Sequence, residues 1–125
     1  MRAIKFRAQD IASNKWLYGD LRHHKNDVAI FEQGGNKGEQ VKPETIGQFT
    51  SLRDKNGKEI YEGDILKAGD EKTLLEVRFV RGVFAFLWNG DLDDEFPTGS
   101  PTHEWAKVVG NIHDNPEMIK RRTDL

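Results

Sequence analysis

Residues 74–88 constrain the fold more than any other stretch. Leu75, Val77 and Phe79 stand at every second position, and Phe84, Phe86 and Trp88 repeat that spacing after Arg81-Gly82. A period of two is that of a strand with one apolar face. With Arg81-Gly82 as a two-residue turn, the facing pairs are Phe79–Phe84, Val77–Phe86 and Leu75–Trp88, apolar on both sides. A slip of one residue would set this face against Val83, Ala85 and Leu87 and turn the aromatics to the wrong side, so the register is specified. Burying each large apolar side chain contributes roughly 1.5–3 kcal/mol. The hairpin is therefore expected to anchor the core with that face turned inward.

The stretch 45–66 joins one run of short strands to another and holds the densest turn chemistry. Ile46, Gln48 and Thr50 alternate with Gly47 and Phe49. Asp54-Lys55-Asn56-Gly57 follows, and Asn-Gly is a strong turn signal because both residues tolerate positive φ. Glu62-Gly63-Asp64 is a second turn, and Ile65-Leu66 opens a new strand.

Toward the N-terminus, Ile4, Phe6 and Ala8 alternate with Lys5 and Arg7, which predicts a half-buried strand with a basic outer face. Asp10 to Asn14 is a polar turn, and Trp16-Leu17-Tyr18 begins a partner strand that Gly19-Asp20 stops. Residues 22–27 read as a polar connection or exposed edge, 28–31 as a strand, and 33–40 as a glycine-rich loop. Pro43 cannot donate into a ladder. Beyond the hairpin, 89–102 is acidic and loop-rich, and 104–112 holds a late strand. Asn115-Pro116-Glu117 has the chemistry of a helix start, predicting a short helix through about Arg122.

A chain of 125 residues makes one domain or two small subdomains. Only 36% of it is hydrophobic, so its core is thin, and the 10% of aromatic residues partly offset this by burying large areas each. Net charge is −2: residues 1–50 carry 8 Lys and Arg against 6 Asp and Glu, and residues 51–125 carry 11 against 15. There is no global pull toward nucleic acid or an acidic membrane. The absence of cysteine excludes disulfides, thiolate zinc sites, iron–sulfur clusters and thiol nucleophiles. No apolar run approaches the ~20 residues of a membrane helix, and the first residues lack the apolar core of a signal peptide. A cytoplasmic protein with no membrane association is expected.

Two clusters are candidate sites. Lys5, Arg7, Lys15 and Arg22 with Trp16 and Tyr18 interleave cations and aromatics on the first hairpin, the combination used to bind phosphates and stack bases. The plainer reading makes the aromatics core. Asp91, Asp93, Asp94 and Glu95 form the densest acidic group. Carboxylates so spaced suit a divalent cation or a basic partner, but the group lacks the glycine and distal glutamate of an EF-hand, and a solvated loop is the plainer reading. His23 and His24 are strand neighbours that point to opposite faces, and His103 and His113 match no zinc spacing. No phosphate loop, nucleophile elbow or acid–base pair stands out, so neither a cofactor nor catalysis is expected.

Three strings, IKFRAQDIASNKWLYGD (4–20), IGQFTSLRDKNGKEIYEGDIL (46–66) and VVGNIHDNPEMI (108–119), resemble in order the YopX-like family of phage and prophage proteins. The resemblance runs from Met1 to about Ile119. It implies a small phage-encoded protein and carries over no catalytic residues. The expected fold is mostly β, with an N-terminal β subdomain over 1–52, then an SH3-like small barrel with a short C-terminal helix over 53–125. The barrel is an analogy from turn placement and carries no function. The function expected is a non-enzymatic accessory module that binds a protein partner or assembles with itself as a homo-oligomer. The alternatives are nucleic-acid binding by the basic, aromatic N-terminal face and a metal-dependent enzyme using loop 91–95.

Overall fold

The computed structural model describes residues 3–32, 35–69, 74–91, 104 and 106–119. They form two antiparallel sheets, and the chain divides into compact units at Met1–Ser51 and Leu52–Leu125.

The first unit holds β1 (Phe6–Gln9), β2 (Trp16–His24), β3 (Asp27–Phe31), β4 (Gly38–Gln40) and the start of β5 (Gly47–Arg53), ordered β4-β3-β2-β1-β5. Asp10 closes the β1–β2 hairpin, where its Oδ1 accepts the N–H groups of Ala12 at 2.8 Å and Ser13 at 3.2 Å. These bonds hold the Asp10 carboxyl below its ordinary value. The facing pairs Ala8↔Leu17 and Leu21↔Ile30 turn apolar side chains to one face. There Ala8, Val28, Ile30 and Val41 are buried, with Phe6, Leu17, Leu21 and Ile46 packed against them. Residues 22–24, expected as a polar connection or an exposed edge, extend β2 as exposed partners of β3. Gly19 has φ +155°, and a Cβ there would overlap the carbonyl of Phe31 on β3, so glycine permits the close approach of these strands.

The second unit takes the end of β5, where Leu52 and Arg53 lead into a hairpin with β6 (Glu59–Tyr61). It continues with β7 (Asp64–Ala68), β8 (Leu74–Val80), β9 (Val83–Trp88) and β10 (Ala106–Asn111). The last four form a sheet in the order β10-β7-β8-β9. The β8–β9 register is the one expected, Phe79↔Phe84, Val77↔Phe86 and Leu75↔Trp88. Arg81 and Gly82 take φ of 50° and 83°, matching the turn to the strand twist. Leu75, Val77 and Phe86 join Ile60, Leu66, Ala68 and Ala106 in the core. Phe79 and Trp88 do not: they remain 54% and 40% exposed. The opposite face is also covered, with Glu76 and Leu87 buried.

Asp54 ties this unit together. Its Oδ1 accepts the N–H groups of Asn56 and Lys58, each at 2.9 Å, and shapes the turn. Its Oδ2 accepts the N–H of Val108 on β10 at 2.9 Å. Lys55 adds an N–H bond to the Ala106 carbonyl at 3.0 Å. Burial pushes the Asp54 carboxyl up, but the three backbone donors outweigh burial and leave it below its ordinary value.

Two expectations need correction. The four-stranded sheet is open, with β9 and β10 at its two ends and no pairing between them among the described residues, so it is not a closed SH3-like barrel. Turn signals fix neighbouring strands but do not dictate closure. The C-terminal helix is a single 3-10 turn, Pro116–Met118, after which Ile119 returns to extended backbone. The Asn115 side chain does not cap it and instead accepts the Asn111 N–H at 3.3 Å. Residues 120–125 lie outside the described residues.

Two substitutions test this packing. Phe86→Ala should cost about 3–5 kcal/mol, read as a shift in the denaturation midpoint. Asp54→Asn would set an amide nitrogen or lose an acceptor against a buried donor, costing about 1–3 kcal/mol. Because the folded carboxyl is depressed, its contribution is present above the unfolded pKa and is lost as pH falls through the folded pKa. The gap in melting temperature between wild type and Asp54→Asn should thus be full near pH 7 and narrow below about pH 4.

Candidate functional site

Antiparallel pairing decides which side chains share the outer face of the N-terminal sheet. Arg7 faces Tyr18 and Gln9 faces Trp16, while Arg22 faces Ala29 and Asp20 faces Phe31. Facing residues project to one side and alternate residues follow them. The face opposite the Ala8 core therefore carries Arg7, Trp16, Tyr18, Arg22 and Phe31 together.

Diagonal neighbours on this face form cation–aromatic pairs. The Arg7 guanidinium lies 4.7 Å from the centre of the Trp16 ring, and that of Arg22 lies 4.1 Å from Phe31. Beside them the Lys5 ammonium lies 5.2 Å from Phe49, whose N–H donates to the Lys5 carbonyl at 2.9 Å. Such contacts contribute roughly 0.5–2 kcal/mol each, more where water is excluded. They also divide the cations. Arg7 is buried, Lys5 is half-buried and Arg22 is exposed. Tyr18 is 50% exposed and, with Lys5, Gly19 and Glu32, lines an open depression of about 280 Å³. A phenol ring beside an ammonium and a carboxylate suits a flat group, with no net charge in the lining to favour an anion.

Five of the six residues expected on the basic face, all but Lys15, are thus placed on or beside this sheet, and Lys5, Arg7 and Arg22 each lie against a ring of a neighbouring strand. Lys15 stands apart in the turn that closes the hairpin, where its carbonyl accepts the Asp10 N–H at 2.8 Å and its N–H donates to Ser13 Oγ at 3.3 Å. Phe31 and Phe49, the rings under Arg22 and Lys5, escape a reading of local spacing because they sit on other strands. Of the acidic group, Asp91 follows β9, and its N–H donates to the Trp88 carbonyl at 2.9 Å. Asp93, Asp94 and Glu95 lie outside the described residues, as does His103. His23 and His24 are exposed at adjacent positions of β2. The His113 N–H donates to Asn111 Oδ1 at 3.0 Å. Among the described residues no group of three or more His, Asp or Glu is placed to hold a metal ion, and no helix is long and apolar enough to cross a membrane.

A second surface lies on the β8–β9 hairpin. Phe79, Val83 and Trp88 are 54%, 39% and 40% exposed. Phe79 and Phe84 meet edge to face, with ring centres 5.2 Å apart and planes at 64°. Alternation marked Phe79 and Trp88 as apolar-face residues, but it does not say how far along a strand the covering layer extends.

Comparison with known proteins adds a family. The chain is similar to protein EF1440 from Enterococcus faecalis, whose crystal structure matches with a TM-score of 0.58 at 28% identity, covering 96% of this chain and 100% of that one. No curated protein matches. The family profile described as YopX protein matches residues 5–120. With that match running through both units, the chain belongs to the YopX family.

Proposed function

We propose that this is a phage-encoded, cytoplasmic accessory protein that works by binding protein through the β8–β9 hairpin and not by catalysis. The observation that carries the reading is the exposure of Phe79 and Trp88 on one face of the hairpin, with Val83 exposed on the other. Isolated apolar residues on a surface are ordinary, whereas two large aromatic ones exposed on one face of a hairpin mark a site of association. The overall charge of −2 favours protein over nucleic acid as the partner class.

One observation favours a second reading. Exposed Arg22 stacked on Phe31, with half-exposed Tyr18 beside it, offers charge and ring faces together, as single-stranded nucleic acid requires.

Affinity capture from host lysate, with and without nuclease, separates the two. Wild type should retain a protein through nuclease treatment. Trp88→Ser, at an exposed position, should reduce that retention about tenfold, since aromatic anchors dominate such contacts, while Arg22→Ala should leave it unchanged. Bound material that disappears with nuclease, falls steeply with salt and depends on Arg22 but not Trp88 would overturn the protein-binding reading in favour of the second.

A further inference from the structure

We infer that Asn56 is a site of spontaneous modification: the Gly57 backbone nitrogen attacks its side-chain carbonyl carbon, and the turn held by Asp54 restrains the reaction. The product is an aspartyl or isoaspartyl residue in the turn that fixes β10.

The chemistry needs only water. The Gly57 nitrogen gives up its proton to solvent and forms a bond to Asn56 Cγ. The bond from Cγ to the side-chain nitrogen breaks, and that nitrogen takes a proton and leaves as ammonia. A five-membered cyclic imide remains. Water then adds to one of its two carbonyl carbons. Hydrolysis at Cγ restores the ordinary backbone and leaves an aspartyl side chain. Hydrolysis at the other carbonyl routes the backbone through Cβ and Cγ, giving isoaspartyl. No group is oxidised or reduced. Asparagine is among the thermally labile residues, and a following glycine sets no Cβ beside the attacking nitrogen.

The chain contains two Asn-Gly pairs, Asn56-Gly57 and Asn89-Gly90, which are chemical equals in the sequence. The structure separates them. Asn56 and Gly57 are both exposed, and beyond its chain neighbours nothing lies within 4 Å of where a Gly57 Cβ would stand. Asn89 is half-buried and Gly90 is buried. The Asn89 N–H also donates to the Leu74 carbonyl on β8 at 2.9 Å. Solvent base and water therefore reach Gly57 and are kept from Gly90.

The folded turn slows the attack. The Gly57 N–H donates to the Asp54 carbonyl at 2.9 Å, so the attacking nitrogen is engaged until the turn opens. Asp54 Oδ1 holds the N–H groups of Asn56 and Lys58 on either side of it. A reaction that passes through a locally open state follows the population of that state. The product then acts on the same carboxylate. An isoaspartyl linkage inserts one backbone atom between the Asn56 and Lys58 N–H groups, which no longer converge on one oxygen. Asp54 Oδ2 holds the Val108 N–H, so the longer turn loosens β10. The aspartyl product keeps the ordinary backbone path.

Peptide mapping by mass spectrometry of the intact protein, aged in mildly alkaline buffer, follows both pairs in one sample. Asn56 should convert to a mixture of aspartyl and isoaspartyl while Asn89 stays an amide. Absence of conversion at Asn56, or conversion of Asn89 at an equal rate, overturns the site. Asp54→Ala should speed conversion at Asn56 about tenfold through easier local opening, with Asn89 still an amide. An unchanged rate at Asn56, or an equal rise at both pairs, overturns the restraint by the turn. In the isoaspartyl fraction, separated by chromatography, the Val108 amide should lose protection from hydrogen exchange, whereas the Asn56→Asp variant should keep it. Equal protection in the two overturns the link to β10.

Discussion

The second unit depends on one carboxylate. Asp54 receives two N–H groups from its own turn and one from Val108, 54 residues away in sequence. An acceptor that satisfies three backbone donors holds its surroundings closely, because losing it would leave those donors without their protein partner. Leu52 and Ile60, on the strands that flank the turn, then pack with Leu66, Leu75, Val77 and Phe86. The turn thus performs two tasks. It reverses the chain, with Gly57 at φ 83°, and it fixes β10 beside β7. Asp64 repeats the device at smaller scale, where its Oδ2 accepts the Tyr61 N–H at 2.7 Å across the tight turn at Gly63.

Local features were legible in the sequence. The β8–β9 register followed from alternation and a two-residue turn, and the turns at Asp10, Gly57 and Gly63 followed from residues that tolerate positive φ or bond to their own backbone. What escaped were relations between distant residues. Nothing near Asp54 announces Val108. Alternation told which face Phe79 and Trp88 share but not that the core stops short of both. Closure of the sheet is likewise a long-range property, which is why turns in a barrel-like arrangement accompany an open sheet. The Asn-Pro-Glu helix start was legible too, but the Asn115 carboxamide bonds back to Asn111 and the helix ends after one 3-10 turn.

The candidate basic face shows the same division. Lys5, Arg7, Trp16 and Arg22 could be placed on one hairpin from alternation alone, whereas Lys15 lies in the turn and belongs to Asp10's hydrogen-bonded group. The rings that lie against Arg22 and Lys5 come from β3 and β5, beyond any local pattern. These pairs occupy the cations of that face with the protein's own aromatics. The β8–β9 hairpin differs. Phe79 and Trp88 stay 54% and 40% exposed there, so the two surfaces are unequal as sites for a partner.

The most direct test of this account is hydrogen exchange, amide by amide, in wild type and in the Asp54→Ala variant. The Asn56, Lys58 and Val108 amides donate to Asp54 and should lose protection together in the variant, while the Ala85 and Leu87 amides, which face β8, keep theirs. Unchanged protection at Val108 in the variant would contradict the account.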